Sequence, residues 1–146
     1  MTGMSDTHVP ETLAEIRDSF LETPEADRLL LLLEFADDLP AVSDEVANHP
    51  EMCERVAECQ SPVYIYVEVA DGRVVMHATA PAEAPTTRGF ASILVQGITG
   101  LTPDEVLAVP DDFPQSIGLT RAVSPLRIGG MTGMLMRAKK QVRQKR

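Results

Sequence analysis

The sequence predicts an α+β fold: a small antiparallel sheet, a hairpin plus room for a third strand, with helices packed on one face. Three observations predict it. Asp71-Gly72 separates two β-rich runs, Val63–Ala70 and Arg73–Ala80, and Asp-Gly there is a strong signal for a two-residue type I′ hairpin. Helix-start signatures lie on both sides of this hairpin, at Thr23-Pro24, Thr102-Pro103-Asp104-Glu105 and Ser124-Pro125. The order of helix, helix, hairpin and then several helices, without repeat or second domain, segregates helices to one side of an antiparallel sheet.

Residues 1–10 are small and polar and are expected to be disordered. A single domain is expected over 11–140, followed by a basic tail at 141–146. A first helix spans Glu11 to Phe20, with Leu13, Ile16 and Phe20 on one face. Thr23-Pro24 opens a second, with Leu29, Leu32, Leu33 and Ala36 as its buried stripe. Leu30 and Leu31 widen that surface, so this helix is read as central. It ends at Asp37-Asp38-Leu39-Pro40. Ser43–Val46 reads as one helical turn and Glu51–Ala57 as loop. Pairing outward from the hairpin turn sets Val69 opposite Val74, Val67 opposite Met76 and Ile65 opposite Ala78, all facing the core. Tyr64, Tyr66, Glu68, His77 and Thr79 take the other face. Two strands are marginal alone, and a third is sought near Cys59 or Pro81. Thr86 or Thr87 caps a third helix through Gly97, whose Gly89, Ala91 and Ser92 wall permits close packing on the sheet. A capped short helix follows at Thr102, then a turn ending at Gly118. Ser124-Pro125 opens the last helix, with Met131, Met134, Leu135 and Ala138 as its stripe and Gly129, Gly130 and Gly133 weakening it.

Composition narrows the function. A chain of 146 residues is long enough for one domain with a real core. No apolar run approaches the ~20 residues of a membrane helix. The first residues carry no basic or apolar leader, so the cytoplasm is the default. There, two cysteines read as thiols rather than a bridge. The net charge of -9 argues against nucleic acid as a partner. The cations from Arg137 onward suit a helix C-terminus.

Most candidate chemistries fail on spacing. His8, His49 and His77 are scattered and Cys53 and Cys59 are six apart, so no structural zinc set is present and four thiolates for a cluster are lacking. Cys59 with His77 or His49 lacks an orienting third group. Gly129-Gly130-x-x-Gly133 lies inside a helix, not between a strand and a helix as a phosphate loop would. What stays open for Cys59 is an ordinary packed cysteine or a thiol acting alone. Thiolate attack on a sulfur–sulfur bond needs no general base.

Four stretches carry a resemblance: Glu58-Cys59-Gln60-Ser61-Pro62-Val63-Tyr64-Ile65, Leu33-Glu34-Phe35-Ala36-Asp37-Asp38-Leu39-Pro40, Arg88–Leu94 and Leu119–Met131. Together, in the order they take along the chain, they resemble the SufE family of sulfur acceptors. The resemblance implies a SufE-like fold and a role in iron–sulfur cluster assembly. In that role the chain takes persulfide sulfur from a PLP-dependent, SufS-like cysteine desulfurase, stimulates it, and passes the sulfur to a scaffold protein. It is then a carrier, not a stand-alone enzyme. The PLP belongs to the partner, and the chain needs no cofactor or metal of its own. The alternative is a recruiting or regulatory module that carries no sulfur. The resemblance further implies that Cys59 is the accepting thiol, with Gln60 and Ser61 shaping its loop and Arg127 on the site's face. Arg88 resembles a basic family position before the third helix. One departure stands out: Glu58 occupies a position where the family usually has Gly. A carboxylate ~6 Å from the sulfur would oppose a thiolate by ~0.7 kcal/mol at water's dielectric, and by more if buried. Cys53 is an addition, read as a second sulfur site, a resolving thiol or a bystander.

Overall fold

A computed structural model describes residues 9–146. The expected disorder of residues 1–8 lies outside the described residues; Val9 packs against the core. Helices α1 (Glu11–Glu22) and α2 (Arg28–Asp37) are followed by a short α3 (Asp44–Asn48). Strands β1 (Glu54–Arg55), β2 (Tyr64–Ala70) and β3 (Arg73–Thr79) come next, then α4 (Pro85–Ile98), α5 (Pro103–Leu107) and α6 (Pro125–Lys145).

The sheet is antiparallel in the order β1-β2-β3. Its hairpin has the expected register, with Val69 opposite Val74, Val67 opposite Met76 and Ile65 opposite Ala78. Asp71 (φ 54°) and Gly72 (φ 75°) both take the left-handed conformation that the type I′ turn demands. The third strand is β1, upstream of Cys59, inside the segment read as loop. Its two residues pair with Ile65 and Tyr64, too few for any periodicity to announce them.

The inner sheet face, Ile65, Val67, Val74, Met76 and Ala78, is buried under α4 and α6. The central helix is α4, with 10 of its 14 residues buried, and not α2. Of the leucine run in α2, only Leu32 is fully buried, while Leu29 and Leu30 are 39% and 62% exposed. α2 and α1 pack on α4, and Phe20 and Phe35 stack with ring centroids 5.6 Å apart. Gly89 and Gly97 meet these helices rather than the sheet: an added Cβ would stand 2.6 Å from Leu32 O and 2.2 Å from Leu13 Cδ2.

Three boundaries differ from the sequence reading. α4 starts at Pro85 with Ala84 at its N-cap and no side-chain cap, so Thr86 and Thr87 lie inside the helix rather than capping it. Thr23 does not open α2. Its hydroxyl donates back to Ser19 O at 2.7 Å, closing α1, and a 3-10 turn at Glu25–Asp27 leads into α2. The basic tail at 141–146 belongs to α6 as far as Lys145, with Arg146 at the C-cap and Gln141 and Val142 buried. The reason lies in the sheet. Because β1 is so short, β2 has no strand beside Val67. There Gln141 Oε1 accepts the Val67 N–H at 2.7 Å, and Lys145 Nζ donates to the Val67 carbonyl. The end of α6 thus satisfies a strand edge that would otherwise stand open.

Candidate functional site

Cys59 sits in the loop between β1 and β2. The Val56 N–H donates to Val63 O at 2.9 Å, one rung beyond the β1–β2 pairs, and pins the loop's base. Inside that closure the Cys59 N–H donates to Val56 O at 3.1 Å, and the Val63 N–H to Ser61 O at 2.9 Å. These turns aim Cys59 inward, where it is 6% exposed and joins the core cluster, while Gln60 and Pro62 face solvent.

The seat of the thiol is on α6. Ser124 caps this helix, its Oγ accepting the Arg127 N–H at 3.4 Å, so Arg127 is fixed in the first turn. One turn further, a Cβ on Gly130 would stand 3.0 Å from Cys59 Sγ, and a Cβ on Gly133 would stand 2.6 Å from Glu58 Oε1. The two glycines form a notch that takes the cysteine and the glutamate side by side. A cleft of ≈ 130 Å³ opens over this spot. All four residues singled out in the sequence, Cys59, Gln60, Ser61 and Arg127, line it. So do Glu83 from the β3–α4 connection and Leu126, which is 59% exposed.

The sequence reading missed Arg137, Gly130 and Gly133. Arg137 Nη1 donates to Glu58 Oε1, and its Nε lies 3.5 Å from Glu54 Oε2. The spacing of Gly130, Gly133 and Arg137 along one helix face was the available signal. Glycines read as weakening the helix are instead what lets the loop approach.

The thiol's electrostatics follow from this packing. Burial pushes the Cys59 thiol above its ordinary value, and the neighbouring Glu58 charge pushes it further. Arg137 and Arg55 pull the other way without prevailing. Beside them, burial raises the Glu54 carboxyl, but hydrogen bonds from Lys140 and Gln141 and the charges of Lys140 and Arg137 outweigh it, leaving it below the usual carboxylate range. Glu54 therefore contributes stability above its unfolded pKa and loses it as pH falls through the lower folded value. In thermal melts from about pH 7 to about pH 3, Glu54→Gln is expected to flatten the acid-side loss of stability. An unchanged slope would assign that loss to other groups.

The other candidates lie elsewhere. His77 Nε2 meets Glu68 Oε2 at 2.7 Å and stacks on Tyr66 on the sheet's outer face. His49 pairs with Glu51. Neither lines the Cys59 cleft, so among the described residues no Cys–His dyad forms there. Arg88 is a structural clamp, donating to Ala36 O at 2.9 Å and Ala80 O at 2.8 Å. Cys53 is a half-buried free thiol immediately before β1, lining a separate pocket with Glu51 and Lys140. Among the described residues, no group of three His, Cys, Asp or Glu could hold a metal ion, and no helix is long and apolar enough to cross a membrane.

Comparison with known proteins places this arrangement. Residues 14–142 match the family model of SufE, described as an Fe-S metabolism associated domain. An uncharacterized SufE-like protein of Mycobacterium tuberculosis is 47% identical over 137 residues, covering 93% of this chain and 94% of that protein. A protein of Plasmodium vivax named cysteine desulfuration protein SufE is 29% identical over 83 residues, 56% of this chain and 34% of that one. A hypothetical protein from Thermus thermophilus, solved in solution, superposes with a TM-score of 0.83 at 36% identity, covering 93% of this chain and 96% of its own. Fold, sequence and matched length agree: the chain belongs to the SufE family, whose domain is associated with Fe–S metabolism.

Proposed function

We propose that Cys59 accepts a sulfur atom from the persulfide of a PLP-dependent, SufS-like cysteine desulfurase, and that the chain carries it to a scaffold for Fe–S assembly. The observation that carries this reading is a single thiol seated under a cleft, with a guanidinium at the rim and, among the described residues, no histidine lining it to serve as base. That set suits sulfur exchange. The Cys59 proton leaves to solvent, and the thiolate attacks the terminal sulfur of the donor's Cys–S–SH. The donor S–S bond breaks as the Cys59 S–S bond forms, and the donor cysteine departs as a thiolate that takes up a proton. No external oxidant or reductant enters. Arg127, free to reach the cleft, would stabilise the sulfur anion. Clearing the donor's product accelerates the desulfurase, so the chain acts as its partner and activator rather than as a catalyst alone.

Incubation with such a desulfurase and cysteine is expected to add ~32 Da, one sulfur, to the intact chain, removable by thiol reductant. A chain whose mass stays unchanged beside an active donor would overturn the reading. One observation favours a second reading: Cys59 is nearly sealed and burial pushes its thiol above the ordinary value, as suits a module that recruits without carrying. In that case a chain lacking the Cys59 thiol would still accelerate the desulfurase.

A further inference from the structure

We infer that Glu58 and Arg137 form a charge-exchange pair for the Cys59 sulfur: Glu58 occupies Arg137 while the thiol is empty, and yields it when the sulfur becomes an anion. The inference rests on Cys59 being the accepting thiol and adds two positioning residues to that site.

The geometry is that of adjacent berths on one helix. Cys59 lies against Gly130 and Glu58 against Gly133, and Arg137 reaches back one turn, its Nη1 also donating to Gly133 O at 3.4 Å. Three residues of helix rise only ~4.5 Å, so the guanidinium and the sulfur occupy neighbouring levels of the same groove. The two members of the pair differ in exposure. The Arg137 side chain is 20% exposed and is flanked by Glu54, whereas the Glu58 side chain is 48% exposed. Arg137 stays while Glu58 can turn to water. The Nε of Arg137 is sealed from solvent and makes no hydrogen bond among the described residues. The cation is therefore held in place by a carboxylate that can leave.

The charges facing Cys59 come from every element around it. Glu58 is on its own loop, Arg55 on β1, Glu83 on the β3–α4 connection, and Arg127 and Arg137 on α6. Glu54 and Lys140 stand behind Arg137. In the empty state Glu58 neutralises Arg137 and opposes a thiolate, so the thiol remains protonated and seated. A persulfide is a stronger acid than a thiol, because the second sulfur spreads the charge. Once loaded, Cys59 loses its S–SH proton to solvent. The resulting anion repels Glu58 and attracts the guanidinium that Glu58 held. The same glutamate that suppresses reaction of the empty carrier thereby releases the cation that retains its cargo.

The test is the pH profile of Cys59 alkylation by iodoacetamide, followed by mass in a Cys53→Ser background, which needs no desulfurase. Glu58→Gln is expected to lower the midpoint by ~0.5 unit or more, raising the rate at neutral pH ~threefold. Arg137→Gln should raise the midpoint, and the double variant should lie near the parent. A purely structural role would instead change the plateau rate at high pH and leave the midpoint alone. Loading with inorganic polysulfide supplies the second readout: Arg137→Gln should retain less added sulfur than the parent, and Glu58→Gln at least as much. Coincident midpoints in all four chains, or an upward shift in Glu58→Gln, would overturn the exchange pair while leaving the carrier role untouched. Conversely, loss of the carrier role would appear only in the desulfurase experiment.

Discussion

Cys59→Ser is expected to abolish sulfur uptake from a desulfurase completely, while Cys53→Ser leaves it intact. The two thiols are both free but occupy different surroundings. Cys59 lies under the cleft with Arg127 at its rim and Arg137 two helical turns along α6 from its Gly130 seat. Cys53 sits immediately before β1, where burial and the Glu51 charge raise its thiol and the residues lining the cleft are out of reach. A serine hydroxyl cannot form the S–S bond that holds the cargo, so no partial activity should survive. Intact-mass measurement of the three chains with one desulfurase decides the matter. Equal loss from Cys53→Ser would move the site to the separate pocket that Cys53 lines.

Gly130→Val is expected to drive the Cys59 thiol out of its seat. Even a first carbon at this position would stand 3.0 Å from Sγ and 4.0 Å from the Cys59 Cα and the Glu58 carbonyl, and valine adds two more. Overpacking of this kind costs ~1–3 kcal/mol. Here the strain falls on the closed position of one loop, so it should shift the loop toward an open form by about tenfold or more. Alkylation of Cys59 at high pH, where every accessible thiol is ionised, should quicken by that factor. Urea denaturation should show a smaller change, because an opened loop relieves the strain. A variant thiol as protected as the parent's would mean that something other than the α6 notch shields it.

The hairpin could be read directly because its determinants are local. Asp71-Gly72 fixes the turn, and strict alternation from Ile65 to Ala78 fixes the faces. Helix caps at Thr102 and Ser124 were legible for the same reason. Thr23-Pro24 has the appearance of a cap, yet its threonine bonds backward to Ser19. Local sequence cannot say which of two helices a hydroxyl will serve. β1 and the true end of α6 were hidden because both depend on partners far along the chain, Tyr64 and Ile65 for one and Val67 for the other. In the site, the cysteine loop and Arg127 were visible through resemblance to the family. The mate of Glu58 was not, since Arg137 lies 79 residues away, and only the fold brings a loop carboxylate onto the notched face of that helix.

The contact of Gln141 and Lys145 with the Val67 backbone has a practical consequence for anyone trimming this protein. A chain cut after Lys140 would lose six residues that look dispensable and would uncover one amide and one carbonyl on the flank of its sheet. Two such flanks can zip together, so the shortened product would be prone to self-association, and an affinity handle is better placed at the opposite terminus.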